Sequence, residues 1–329
     1  MPRPKTLPAF TAEEQIIAHE LLATRVAFMM GRQFEEDDWA EVYCRAKGIQ
    51  KRGWSNLNID VMHGSLGVEH KRIRAKSKGD ILDCCGKSIM HPSATRSIRV
   101  PSSTTDPAVA MRDVLTQYGE LIQNRTEQVR VASGSTTSPD MRTGWLLWQD
   151  SLRQFLYFEE QWTIPNPDDY EAKWVKRNGG GARKSSTNLW VFEKQTDRKR
   201  FSITSDAGPK IQPYFDVPPV TDPNLYTFTV IGEVIGSGRV RVWITDSTHR
   251  DLKRLLGALT TESLSEAVMK TAGILKKLDP IEEARHEHAT PFDITVAAYQ
   301  ELQSALPGKN DDHCFQLLVQ HLNHSGHNS

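Results

Sequence analysis

Hydrophobic residues recur along this chain at two different periods, and the order in which those periods alternate limits the folds open to it. Over residues 11–30, Ile16, Ile17, Leu21, Leu22 and Val26 fall on one helix face, with Thr11 as N-cap and Glu13 and Glu14 in the first turn. Residues 35–47 predict a second helix, apolar at Trp39, Val42 and Tyr43, with Gly48 just past its end. A third starts at Pro107, a good first helical residue, and continues through Val114, Leu115, Tyr118, Leu121 and Ile122. After Trp174 a period of two takes over. Segments 188–194 and 200–204 flank the polar turn QTDRK, and 210–217 and 226–234 follow. Val240, Val242 and Ile244 then alternate with Arg239, Arg241 and Trp243. Helical spacing returns over 251–259, 263–278, 291–306 and 313–323. Residues 88–106 and 132–139 read as loops. Residues 144–162 are apolar on every side, as expected of a buried or partly extended segment. The order is α/β (α+β), and no fixed-period repeat is evident.

Between the second and third helices lies NIDVMHGSLGVEHK, residues 58–71, which reads as two short strands joined by a glycine-containing turn. Alternation places Glu69 and Lys71 on one face and Val68 with His70 on the other. A hairpin brings Asp60 to Glu69. Two acids and an ammonium on one sheet surface make a poor core and a suitable seat for a hard divalent cation, since Mg2+ takes one or two carboxylates and completes its shell with water and phosphate. Glu36 or Glu41, on the preceding helix, is placed to serve as an accessory acid.

The totals narrow the class. The chain has 329 residues, 38% hydrophobic and 25% charged, which fits a polar globular protein of one large or two modest domains. A division near 175 is expected, with 1–175 as a catalytic core and 176–329 as a β-rich recognition part with a helical tail; one continuous domain is the alternative. No apolar run is long enough to cross a bilayer and no secretory leader opens the chain, so a cytoplasmic protein without a membrane partner is expected. The four cysteines form no C-x-x-C pair and read as reduced structural thiols. With 41 Lys and Arg against 41 Asp and Glu, the chain is not uniformly basic. Positive charge is local: Arg72, Arg74 and Lys76 follow the hairpin, and Lys173, Arg177, Arg183, Lys184, Arg198, Lys199 and Arg200 interleave with Trp174, Trp190 and Phe192. Such segments suit a phosphate backbone.

Asp60 followed by Glu69-His70-Lys71, on a hairpin flanked by helices, resembles the PD-(D/E)xK nuclease superfamily, whose commonest members of this size are type II restriction endonucleases. The resemblance covers about the first third of the chain. It implies a mixed central sheet flanked by helices, with Asp60 and Glu69 as metal-binding acids, Lys71 as the catalytic lysine, and His70 as the variable middle residue. Ile59 stands where many members have proline, and the interval from Asp60 to Glu69 is short. The implied activity is Mg2+-dependent, sequence-specific cleavage of double-stranded DNA, with a homodimer matching a palindromic site. A modification-dependent or repair nuclease using the same residues, and a non-catalytic nucleic-acid-binding protein, are the alternatives.

Other constellations carry less. Residues 167–173 also spell PD and ExK, but the acid and the ExK are too close for two strands, and the segment reads as a capped helix start. Asp80 and Asp83 read as loop acids. Cys314 with His321, His324 and His327 lacks standard zinc spacing, and the C-terminal residues read as a frayed end.

Overall fold

In the computed structural model the described residues are 6–29, 34–50, 59–75, 79–91, 95, 97–178, 185–205, 209–275 and 288–326. After β1 (Thr6–Leu7), Thr11 opens α1 (Ala12–Ala27) with a reciprocal cap. Its hydroxyl accepts the Glu14 N–H at 3.2 Å, and the Glu14 carboxylate accepts the Thr11 N–H at 2.8 Å. Next come α2 (Glu36–Ala46), β2 (Val61–His63), β3 (Leu66–Arg74) and β4 (Ser88–Met90), the last a short strand inside an expected loop. Asp106 caps α3 (Pro107–Ser133), whose helical run continues past the expected loop start to Ser133 and is closed by a left-handed Gly134. The apolar stretch that follows is extended: β5 (Asp140–Trp148) and β6 (Gln154–Gln161). Segment 167–173 is no helix start, because a single turn at Pro167–Asp169 gives way to β7 (Tyr170–Arg177), where Tyr170, Ala172 and Trp174 alternate toward a core.

Strands β8 (Ser186–Glu193), β9 (Arg198–Thr204) and β10 (Lys210–Asp216) match the period-two reading, while 226–234 breaks into β11 (Tyr226–Thr229) and β12 (Glu233–Gly236). Then follow β13 (Arg239–Thr245), α4 (Asp246–Leu256), α5 (Thr261–Leu275), β14 (Ala289–Thr295), α6 (Val296–Ala305) and α7 (Asp311–Gly326). The helix expected from 291 therefore begins as a strand, paired along its whole length with β13, and the C-terminal end expected to fray is helical to Gly326. None of Cys44, Cys84, Cys85 and Cys314 forms a disulfide. Among the described residues no helix is long and apolar enough to cross a membrane.

The chain forms two compact units, each assembled from separated segments. The first comprises 1–9, 52–147 and 157–225; the second comprises 10–51, 148–156 and 226–329.

In the first unit one sheet runs β1-β6-β5-β3-β2. β2 and β3 are antiparallel, with Val61 opposite Val68. β3 and β5 run the same way: the Asp140 N–H donates to the Ser65 carbonyl at 2.8 Å, Met141 lies over Gly67, and Gly144 lies against His70, so both strands advance together along the chain. Parallel neighbours need a long crossover, and α3 lies within it. The sheet is therefore mixed. A second sheet, β4-β10-β9-β8-β7, buries Leu189, Val191, Ile203 and Ile211 against Ala110, Met111, Val114 and Leu115 of α3. Full burial of each large aliphatic there is worth roughly 1.5–3 kcal/mol over exposure.

The second unit contains a repeat that the sequence does not announce. A strand followed by two helices occurs twice, as β13-α4-α5 starting at 239, 246 and 261, and as β14-α6-α7 starting at 289, 296 and 311. The two strands pair antiparallel about Val242 and Phe292. α5 packs on β14 and α6, and α7 packs on β13 and α4, so each half caps the other in a pseudo-two-fold exchange. Val240, Val242, Ile244, Leu252, Leu264, Ile294, Leu302, Phe315 and Leu318 form the shared core.

Asp311, at the start of α7, locks this unit. Its carboxylate accepts the backbone N–H groups of Gly232 at 3.2 Å and Trp243 at 3.4 Å, and the Tyr299 hydroxyl at 3.4 Å. Gly232 is required where it stands: φ is +59°, and a Cβ there would lie 2.1 Å from the Tyr299 hydroxyl oxygen. Burial pushes the Asp311 carboxyl from 3.8 up to about 7. Between those values the folded chain holds a proton that the unfolded chain has released, so this residue's contribution to stability falls as pH rises through the window. Asp311→Asn, which does not titrate, is expected to show a flatter melting temperature against pH than the parent from about pH 4 to 7. Parallel curves would contradict that assignment.

Candidate active site

The β2–β3 register, with Val61 opposite Val68, carries Asp60 to the position facing Glu69. The chain bends at Asp60, whose carboxylate accepts the His70 backbone N–H at 2.6 Å. This bond ties the first acid to the backbone between Glu69 and Lys71. Alternation along β3 holds as expected. Val68 and His70 are buried, while the side chains of Glu69 and Lys71 stand on the other face, 16% and 28% exposed. The His70 ring meets Tyr157 edge to face at 5.9 Å, and Gly144 lets both rings close, since a Cβ there would meet them at 2.7 and 2.3 Å. Burial, with the Lys71 ammonium beside it, pushes His70 down to about 3. At neutral pH it is an uncharged core residue.

Glu69 is held from two sides. One carboxylate oxygen contacts the Lys71 ammonium and the other accepts from the Arg125 guanidinium at 3.2 Å. Arg125 projects from α3, where Tyr118, Ile122, Arg125 and Val129 recur at helical spacing. Val129 packs over Gly67, so Arg125, one turn earlier, arrives over Glu69. Burial, with Glu69 nearby, pushes the Tyr118 phenol up to about 12. Arg125 was not foreseen from the sequence; a cation interrupting an otherwise apolar helix stripe is the signal that could have found it.

Chemically, the face offers the oxygens of Asp60 and Glu69 and two cations. Hard oxygen donors in pairs are what Mg2+ takes from proteins, so the donor set fits, with Asp60 and Glu69 as the holding residues. The metal would compete with Lys71 and Arg125 for Glu69. When bound it would supply charge neutralisation at phosphate and a more acidic water. Among the described residues no group of three or more His, Cys, Asp or Glu side chains is arranged to hold a metal ion.

No protein-family model, curated protein or solved structure matches this chain.

The other expected residues are dispersed. Arg72 is half-buried and Arg74 exposed on β3. Lys76, Arg183 and Lys184 lie outside the described residues, as do the side chains of Glu36 and Arg177. Glu41 is paired with Arg25 and with Arg45. Arg198 and Arg200 are engaged by Asp216 at 3.3 and 3.0 Å, and Arg200 also by Glu193. Lys199 and Lys173 instead lie over aromatic rings. Trp174 turns inward, its indole donating to the Thr105 carbonyl at 2.9 Å.

Proposed function

We propose that the chain is a Mg2+-dependent endonuclease acting on double-stranded DNA in the manner of type II restriction enzymes. The observation that carries this reading is the facing of Asp60 and Glu69 across one hairpin, with Lys71 beside Glu69. The mixed sheet adds support, because the resemblance implies a mixed central sheet flanked by helices. In this reading Asp60 and Glu69 hold the cation, and Lys71 orients the attacking water or stabilises charge developing on phosphate. Arg72 and Arg74 alternate onto the face of β3 opposite Glu69 and Lys71, so any backbone contact they make lies away from the cation, and a two-fold homodimer would match a palindromic target.

The pairing of both Glu69 oxygens with Lys71 and Arg125 favours a second reading, a nucleic-acid-binding protein in which the acid is structural. Incubation with methylated and unmethylated plasmid and phage DNA plus Mg2+ separates them. The nuclease reading expects discrete fragments with Mg2+ and none in EDTA. Intact DNA on every substrate and metal would leave the binding protein.

A further inference from the structure

The outer face of the second sheet in the first unit carries a feature that the nuclease reading does not use. Its inner face is aliphatic and closed by α3. On the outer face, register sets Lys173 opposite Trp190, and a β-bulge at Val191–Phe192 brings Lys199 opposite Phe192. Trp190 and Phe192 stand edge to face at 6.4 Å. The Lys199 ammonium lies 3.5 Å from the centre of the Trp190 ring and 5.2 Å from that of Tyr214. The Lys173 ammonium lies 4.6 Å from the centre of Phe192. Trp190, Phe192 and Tyr214 are each partly exposed. Of the neighbouring acids, Glu193 and Asp216 are engaged by Arg198 and Arg200, while the exposed Glu171 lies opposite Phe192, so Lys173 and Lys199 share this face with one further acid.

We propose that this face binds single-stranded DNA by stacking unpaired bases on Trp190, Phe192 and Tyr214, while Lys173 and Lys199 move from ring to phosphate. Partly exposed aromatic rings on a sheet accept any base that exposes its own face, and a duplex hides those faces inside the helix. An ammonium resting on a ring is held there by the same electrostatics that attract it to phosphate, so the exchange leaves both the cation and the ring occupied. The occupant is thus a single strand rather than the duplex expected at Asp60 and Glu69. The inference does not depend on those residues.

Fluorescence anisotropy with the full-length chain in EDTA, where cleavage plays no part, tests it with a labelled oligothymidine of about 20 nucleotides against a duplex of equal length. The single strand is expected to bind at least about ten-fold more tightly than the duplex. Trp190→Ala and Phe192→Ala should each weaken it by about ten-fold or more, and Trp190→Phe, which keeps a stacking ring, should retain most of the affinity. The Lys173→Gln/Lys199→Gln double variant should reduce the salt slope by roughly 1.4, for two lost phosphate contacts. Single-strand affinity unchanged in folded Trp190→Ala and Phe192→Ala proteins, or duplex affinity falling in them as much as single-strand affinity, would overturn the proposal. So would an unaltered salt slope in the lysine variant, which leaves the sheet core intact, or no binding by the parent chain.

Discussion

Glu69→Gln and Lys71→Ala are each expected to lower Mg2+-dependent DNA cleavage by about 10²–10³-fold, a typical cost of losing one preorganised charge at a reacting group. Binding of duplex DNA in Ca2+ or EDTA should change little, because neither residue supplies most of the positive surface. Glu69 is the more instructive of the two. Its carboxylate lies between Lys71 and Arg125, so the glutamine leaves two cations facing each other across a neutral amide. Arg125→Gln makes the opposite change and relieves Glu69 of one competitor. Its Mg2+ half-saturation should fall, as long as Glu69 is a metal ligand. Cleavage at the parental rate by both Glu69→Gln and Lys71→Ala would remove the hairpin from the chemistry altogether.

The largest effect on stability is expected from Arg142→Ala. Arg142 lies on β5 and donates to Glu159 at 3.0 Å, to Asp140 at 2.9 Å and to the Pro8 carbonyl at 3.1 Å. Glu159 is wholly buried and also accepts the Tyr157 hydroxyl at 2.8 Å. Truncating the arginine strands that carboxylate, at a cost of roughly 3–5 kcal/mol. A unit of this size loses about 2–4 °C per kcal/mol, so calorimetry should record a fall of roughly 6–20 °C. Replacing the pair together, as Arg142→Met with Glu159→Gln, should recover much of the loss, because no charge is then left buried. A fall below about 2 °C for Arg142→Ala would mean that water reaches Glu159. Tyr157 also packs on His70, so the same variant should loosen the backbone that Asp60 grips.

What could be read from the sequence was local. The Thr11 cap, the facing of Asp60 and Glu69, the inward His70 and the alternation of β13 all depend on residues a few positions apart, where period and turn chemistry decide. Pairing across long stretches could not be read. Nothing in residues 66–74 says that β5 will lie alongside, and nothing in α3 names Glu69 as the partner of Arg125. Two segments were misread because their opening residues serve two structures. Asn166 and Pro167 start helices and also single turns, and Pro291 fits either a first helical turn or a strand, as at β14. The repeat stayed hidden because its halves share little beyond Ile244-Thr245 with Ile294-Thr295, and the leucines at 252 and 302 and at 256 and 306.

That repeat changes what one mutation does. In a true two-fold pair of separate chains every substitution occurs twice, so neither copy can specialise without the other. Here the equivalent corners have parted. Thr260 stays in water, sharing a cap with Ser263 before α5. Asn310, in the matching place, is buried and donates its amide to the carbonyls of Val26, Ala27 and Met29. Covalent fusion also holds the halves at a fixed effective concentration, so dilution that would separate a dimer of this shape leaves the unit whole.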